Sequence, residues 1–248
     1  DDSGRPLRGF QHLTAHLPWH RTVAAVHAWG QLVVHPRGFR AQRMRIVALA
    51  RRHNLLVIED AAQALGSMYK GRPAGQLGDL AATSFHETKN VTSGEGGALL
   101  VNAPEFAARA EIIRDKGTNR GRFLRGEIDK YTWIDAGSSF VPSELAAAFL
   151  WAQMEAAAAI AGRRLEIWSW YYAAFAALEQ RERLRRPIVP DHCRHNAHMF
   201  YAIVSNHETR TRLLATLNSA GINAVFHYVP LHSSEAGRRF GRTCGDLP

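Results

Sequence analysis

The chain has 248 residues, of which 46% are hydrophobic, 9% aromatic and 21% charged, and this balance excludes a disordered or collagen-like protein. No window reaches the roughly 18 to 20 unbroken apolar residues of a membrane span, and the N-terminus lacks a signal-peptide pattern. Together with only two cysteines, Cys193 and Cys244, these features predict a cytoplasmic protein with no membrane partner.

The net charge of +9 arises from 31 Lys and Arg against 22 Asp and Glu. Such a balance is compatible with a nucleic acid or with an anionic small molecule as partner. The arginines are scattered over every segment instead of being stacked on one helix. We therefore predict no nucleic-acid partner, and the net charge by itself decides nothing further about the ligand.

Residues 1–40 form an atypical N-terminal segment that three prolines interrupt, with one predicted strand at 23–27. From Ala41 onward, apolar residues recur at helical spacing, which predicts a helix of about a dozen residues. The apolar run 55–58 has the composition of a strand buried on both faces of a parallel sheet.

Two more strands are predicted at 80–85 and 98–101, followed by a helix from Pro104 to about residue 116. This alternation predicts an α/β domain over residues 41–162. A long helical stretch begins at Pro142 and continues to about residue 180, with a predicted break near Gly162.

Residues 163–248 are predicted to form a helical bridge and a partial, small α+β domain. After the bridge, the pattern favours a strand at 200–204, a helix at 210–219 and a strand at 224–228. The histidines and the cysteine between 191 and 198 lack the paired spacing of zinc sites, so we predict a polar loop and no metal.

Four polar residues follow or end the predicted strands: Asp60, Gln63, Ser84 and Lys89. Open α/β sheets bind ligands at the carboxyl ends of their strands, so these side chains are expected in one crevice. A lysine amine can bond to an aldehyde, and a carboxylate can hold a pyridine nitrogen protonated. Taken singly, an Asp after a strand is more often a helix cap and a Lys a surface charge, but the combination indicates a pyridoxal 5'-phosphate site.

Residues 57–102, from VIEDAAQ through FHETKN to GEGGALLVN, resemble the core of the DegT/DnrJ/EryC1/StrS sugar aminotransferases. The segments RDKGTNR, DKYTW, NAHMFY and AVFHYVPLH extend this resemblance from about residue 41 to about residue 242. The resemblance implies a fold type I pyridoxal phosphate-dependent transferase, here with an incomplete large domain.

The resemblance assigns roles to the four residues. It makes Lys89 the lysine that binds the cofactor covalently and moves protons, and Asp60 the partner of the pyridine nitrogen. Gln63 would contact the ring hydroxyl and Ser84 the phosphate. It implies a homodimer that transfers an amino group from glutamate to a nucleotide-linked 4-keto-6-deoxysugar, dTDP-4-dehydro-6-deoxyglucose in the narrower reading. Retention of the lysine favours transamination over dehydration.

Substrate contacts have two readings each. Arg120 and Arg122 belong to a cationic run that is either a solvated loop or a clamp on the nucleotide diphosphate. His227 and His232 resemble a family segment near the sugar pocket, but a surface turn explains them nearly as well.

Family members begin upstream of this chain and end with elements that it lacks, so we expect a chain truncated at both ends. Many members also place an asparagine where this chain has Ser139. Two alternatives therefore stay open: an aminotransferase for another nucleotide keto sugar, or a catalytically inactive remnant that acts only through dimerisation.

Overall fold

The computed structural model describes residues 24–27 and 43–242, with side chains described from residue 47 onward. The predicted N-terminal segment lies largely outside this part of the chain, as does Cys244. The strands, in chain order, are β1 (Ala24–His27), β2 (Val57–Asp60), β3 (Met68–Tyr69), β4 (Arg72–Pro73), β5 (Leu80–Ser84), β6 (Gly97–Val101), β7 (Leu184–Arg185), β8 (Cys193–Arg194) and β9 (Ile203–Val204). The helices are α1 (Arg43–Arg52), α2 (Ala107–Arg114), α3 (Arg120–Leu124), α4 (Glu144–Glu155), α5 (Ala157–Ala174), α6 (Ala176–Gln180), α7 (His207–Ser219) and α8 (Glu235–Phe240), with 3-10 turns at Pro104–Phe106 and Leu231–Ser233.

The central sheet has the order β1-β2-β5-β6. Strand β2 pairs in parallel with both β1 and β5, whereas β6 runs antiparallel to β5. Val57 and Glu59 of β2 are buried. The prediction of a buried, parallel strand after the first helix is thus confirmed, although the strand begins at residue 57 and ends at residue 60.

The core beside β2 has two clusters. In one, Val47 and Ala50 of α1 pack against Val57. In the other, Ala61 and Ala81 are buried together with Ala64. Small side chains allow the chain after β2 to approach β5 closely, which brings the ends of the two strands together.

A second, three-stranded sheet connects the two halves of the chain. Its order is β4-β3-β8, with Tyr69 of β3 opposite Cys193 of β8. The amide of Lys70 also donates a hydrogen bond to the carbonyl oxygen of His192, at 2.7 Å. The segment after residue 190 is therefore fixed against the loop that follows β2.

The long helical stretch breaks at Ala156, between α4 and α5, and the prediction of a break at Gly162 is wrong. Gly162 lies inside α5, and an added Cβ there would have open space around it. One glycine costs a helix only about 1 kcal/mol relative to alanine, which a helix of this length tolerates.

The small C-terminal unit differs from prediction in its strands. Helix α7 is present, but the strand predicted at 200–204 is reduced to β9, and residues 224–228 form no strand. In the described part of the chain this last segment has no partner strand. Its Ala224 carbonyl instead accepts a hydrogen bond from Asn218, and the Phe226 ring packs under the guanidinium of Arg210. The domain boundaries near residues 40 and 162 stay predictions.

Candidate active site

Strands β2 and β5 end at the same edge of the central sheet, and the candidate residues follow from this edge. Asp60, the last residue of β2, is in register with Ala82 of β5, two residues before Ser84. The amide of Ala61 continues the pairing by donating to the Ala82 carbonyl at 2.7 Å. The parallel pairing therefore places the chain after Asp60 beside the chain after Ser84.

A small cleft that is open to solvent lies at this edge. Three of the residues selected from the sequence, Gln63, Ser84 and Lys89, line it together. The remaining lining residues are Ala62, Leu65, Asn90, Val91, Asn196 and His198. An amine, an amide and a hydroxyl, which the sequence separates by up to 26 positions, thus share one small space.

Asp60 is half-buried beside this cleft and does not line it. Its Oδ1 accepts a hydrogen bond from the amide of Ala62 at 3.0 Å, and Ala62 is a lining residue. No helix directly follows Asp60, so this contact is a local turn of the backbone and not the helix cap that a single Asp after a strand favours. The contact fixes the carboxylate next to the cleft wall.

The loop between β5 and β6 carries Lys89 and is held at its base. The Phe85 amide donates to the carbonyl of Gly96, and the Ser93 amide donates to the carbonyl of Phe85, each at 2.8 Å. The Lys89 amide closes a turn on the carbonyl of His86 at 2.9 Å. These backbone hydrogen bonds fix the turn, and Lys89 is half-buried on it.

No site role was predicted for the residues that form the other wall of the cleft, although Asn90, Asn196 and His198 lie in the segments FHETKN and NAHMFY that carry the resemblance. Asn90, directly after Lys89, donates from Nδ2 to the carbonyl of Asn196 at 2.7 Å, and its Oδ1 lies 3.1 Å from Nδ1 of His198. Because Oδ1 only accepts, His198 carries its proton on Nδ1.

His198 is a neutral ring at physiological pH. Burial lowers its pKa to about 4, and the positive charges of Lys89 and Arg164 contribute in the same direction. The pKa of His195 is also lowered by burial. The cleft consequently holds the Lys89 amine without a second cation on His198.

Arg120 and Arg122 do not line the cleft. They lie on α3, where Arg120 pairs with Asp115 at 3.4 Å and Arg122 with Glu127 at 3.1 Å. Hydrogen bonds from Arg125 and then Arg122 lower the pKa of Glu127. Carboxylates therefore engage both guanidinium groups here, and the diphosphate clamp stays a prediction.

His227 and His232 lie in the segment that follows α7 and are likewise absent from the cleft lining. The His227 ring packs on Tyr228 with centroids 5.1 Å apart, and His232 lies in the second 3-10 turn. Their assignment to a sugar pocket stays a prediction.

Two observations concern other classes of site. Among residues 24–27 and 43–242, no three His, Cys, Asp or Glu side chains are grouped so that they could hold a metal ion. Within the same residues, no single helix is long and apolar enough to cross a membrane. Only when two consecutive helical segments, Glu144–Glu155 and Ala157–Gln180, are taken together are the length and composition sufficient, and these segments are bent by 62° relative to each other.

Comparison with known proteins finds relatives that modify nucleotide sugars. The chain is 32% identical over 219 residues to GDP-perosamine synthase of Caulobacter vibrioides, covering 87% of this chain and 54% of that protein. It is 31% identical over 233 residues to dTDP-3-amino-3,4,6-trideoxy-alpha-D-glucose transaminase of Streptomyces venezuelae, covering 93% and 55%. The chain thus spans little more than half the length of these relatives.

Solved structures share the fold. The S. venezuelae protein DesV, crystallised with a ketimine intermediate, superposes with a TM-score of 0.73 at 30% identity, over 91% of this chain and 55% of DesV. The aminotransferase TlmJ from Streptoalloteichus hindustanus superposes with a TM-score of 0.74 at 24% identity, over 95% of this chain and 58% of that chain. These matches confirm the predicted fold type I, mixed α/β architecture. The model of the DegT/DnrJ/EryC1/StrS aminotransferase family matches residues 22–247, and the chain belongs to this family.

Proposed function

We propose that this protein is a pyridoxal phosphate-dependent sugar aminotransferase whose cofactor site is the cleft at the ends of β2 and β5. One observation carries the proposal: Gln63, Ser84 and Lys89 line the same cleft, and the carboxylate of Asp60 is hydrogen-bonded to its wall. The residue types suit each part of the cofactor. The amine of Lys89 can bond to the aldehyde of the cofactor, and the carboxylate of Asp60 can pair with its ring nitrogen. The amide of Gln63 can hydrogen-bond the ring hydroxyl, and the hydroxyl of Ser84 can donate to the phosphate.

When bound, pyridoxal phosphate supplies an aldehyde that reacts with amines and a ring that stabilises negative charge on the adjacent carbon. The chain supplies the rest. Lys89 holds the cofactor through its amine and, once released, carries a proton between carbon atoms as a general base and acid. Asp60 keeps the ring nitrogen protonated, because its negative charge favours the charged form of the ring.

For the substrates, we propose glutamate as the amino donor and dTDP-4-dehydro-6-deoxyglucose as the acceptor. The product would be dTDP-4-amino-4,6-dideoxygalactose, a precursor of cell-surface polysaccharide such as enterobacterial common antigen, made by a cytoplasmic homodimer. The support is the resemblance of the segments FHETKN and NAHMFY to enzymes of that specificity. The match to a GDP-perosamine synthase supports a second candidate, a different nucleotide keto sugar.

Cofactor binding is tested by mixing the protein with pyridoxal phosphate, fixing the bond by borohydride reduction and locating the label by mass spectrometry. Lys89 should be labelled far more than Lys70, which is exposed and serves as an internal control. Lys89→Ala should abolish the visible absorption band of the bound cofactor, and Lys70→Ala should leave it unchanged. Equal labelling of the two lysines would refute the site and favour the inactive remnant.

Substrate choice is tested with a panel of dTDP- and GDP-linked keto sugars and glutamate, following the formation of 2-oxoglutarate. Turnover with dTDP-4-dehydro-6-deoxyglucose alone supports the narrower proposal. Turnover only with a GDP sugar would replace it by the second candidate.

A further inference from the structure

One side chain from the C-terminal half of the protein connects both segments that carry the cofactor residues. Asn196 is buried, with 3% of its surface exposed. Its Nδ2 donates two hydrogen bonds, to the carbonyl oxygens of Gln63 and Leu65, each at 2.9 Å. Its own carbonyl accepts the hydrogen bond from Asn90 at 2.7 Å. The side-chain amide of Asn196 therefore donates both hydrogen bonds to the segment after β2, while its backbone carbonyl accepts one from Asn90, the residue next to Lys89.

The backbone around Asn196 is held in an uncommon conformation. Ala197 has a φ of +51°, in the left-handed region that residues with a Cβ rarely adopt. Hydrogen bonds on both sides stabilise it: the Asn196 Oδ1 accepts from the amide of His198 at 3.1 Å, and Arg164 donates to the carbonyls of Ala197 and His198 at 3.2 and 2.7 Å. Strained backbone that its surroundings stabilise is concentrated at functional sites.

We propose that Asn196 is a positioning residue that holds Gln63 and Lys89 at a fixed separation across the cleft. It acts through the backbone of Gln63 on one side and through Asn90 on the other, and the hydrogen bonds described for its side chain all go to backbone atoms. His198 forms the second connection to Asn90, at 3.1 Å. The inference rests on the proposed function only for the identity of the ligand.

The residue types explain why this role needs an asparagine. Two carbonyl oxygens face the Asn196 amide nitrogen, so the position demands two donors in one plane. Aspartate has the same shape but would direct an oxygen at both carbonyls. Replacement of Asn196 by aspartate or alanine therefore frees the 63–65 segment from the 89–91 turn, while β2 and β5 keep their own hydrogen bonds.

The first measurement uses the cofactor-free protein and follows amide hydrogen exchange by mass spectrometry. In Asn196→Ala, exchange in peptides covering 62–65 and 89–91 should rise by about tenfold or more, and exchange in β2 and β5 should stay unchanged. The second measurement is the ratio of Lys89 to Lys70 labelling by pyridoxal phosphate and borohydride. That ratio should fall by about tenfold, because small misplacement of a reacting group has large effects on its reactivity.

Asn206→Ala is the matched control. Asn206 caps α7 by accepting a hydrogen bond from the Thr209 amide at 2.8 Å, so its loss removes an asparagine contact outside the cleft lining. It should leave both readouts at wild-type values. If Asn196→Ala and Asn206→Ala behave alike in both measurements, Asn196 has no positioning role.

Asn90→Ala removes the same connection from its other end, and Asn90 is only half-buried. If Asn196→Ala fails to fold, Asn90→Ala must show the rise in exchange at 89–91, because it removes the hydrogen bond from this turn to the Asn196 carbonyl, and wild-type exchange there overturns the inference. If wild-type protein labels Lys89 no more than Lys70, the proposed function fails, and the exchange measurement still decides the role of Asn196.

Discussion

The carboxylate of Glu59 offers the sharpest test of how the edge of the sheet is held. Its side chain is buried, with 1% of the residue exposed, and it accepts three backbone hydrogen bonds from the loop before β5. The amides of Leu77 and Gly78 donate to Oε1 at 2.6 and 2.8 Å, and the amide of Gly75 donates to Oε2 at 3.2 Å. Because Glu59 directly precedes Asp60, these bonds fix the strand end at which Asp60 lies.

Glu59→Gln keeps the shape and replaces one acceptor by a donor. With the amide oxygen at the Oε1 position, the bonds to Leu77 and Gly78 are retained, but the NH₂ group then faces the Gly75 amide. One hydrogen bond to a charged group, about 1.5–3 kcal/mol, is lost, and a buried donor is left unpaired, at about 1–3 kcal/mol. We therefore expect the free energy of unfolding to fall by about 3 kcal/mol.

The assay is urea unfolding at pH 7 followed by circular dichroism, with Glu87→Gln as the control. Glu87 is exposed, and its neutralisation should change the free energy of unfolding by less than about 0.5 kcal/mol. Equal midpoints for the two variants would show that Glu59 does not stabilise the loop, and the account of the sheet edge would be wrong.

Two further predictions concern a glycine and a histidine. Gly117 has a φ of +75°, and a Cβ added there would overlap the Asp135 carbonyl, so Gly117→Ala should lower the free energy of unfolding by more than about 2 kcal/mol. Gly126 has a similar φ of +73° but open space around it. In the same urea assay, Gly126→Ala should therefore lower the free energy of unfolding by only about 1 kcal/mol. Because the pKa of His198 is lowered to about 4 in the folded protein, its ring is protonated between pH 6.5 and 4 only in the unfolded chain. The stability that the neutral ring contributes is complete above pH 6.5 and is lost as the pH falls towards 4. After allowance for the partial exposure of the ring, we expect the free energy of unfolding to fall by about 1–2 kcal/mol over this range. In His198→Phe this part of the pH dependence should be absent. An NMR titration that places the His198 pKa at or above 6.5 would contradict this.

Local patterns predicted the residues that end strands, because a strand end is itself a local property. The apolar run before Asp60 and the run before Ser84 are both visible within ten residues of sequence. Parallel pairing of β2 with β5 then brings the segments that carry Gln63, Ser84 and Lys89 to the same edge of the sheet. The fold class and these three positions follow from this reasoning, and the family match confirms the fold.

Long-range contacts were beyond prediction for a physical reason. Asn196 lies 133 residues from Gln63 and 106 from Asn90, and its neighbours suggested a polar loop. Nothing within a short window distinguishes an asparagine that binds two distant carbonyls from one that faces water. The strand predicted at 224–228 was wrong for a related reason, since alternating residues form a strand only where a partner is available.

The cleft depends on both halves of the chain. Strand ends alone would supply Ser84 and Lys89 on one side and Gln63 on the other, but no hydrogen bond described between these side chains fixes their separation. The separation is fixed by β8 pairing with β3 and by Asn196 behind it, so the lysine turn is anchored to the C-terminal half. A change in residues 191–198 should therefore alter the cleft more than a change of equal size in α7.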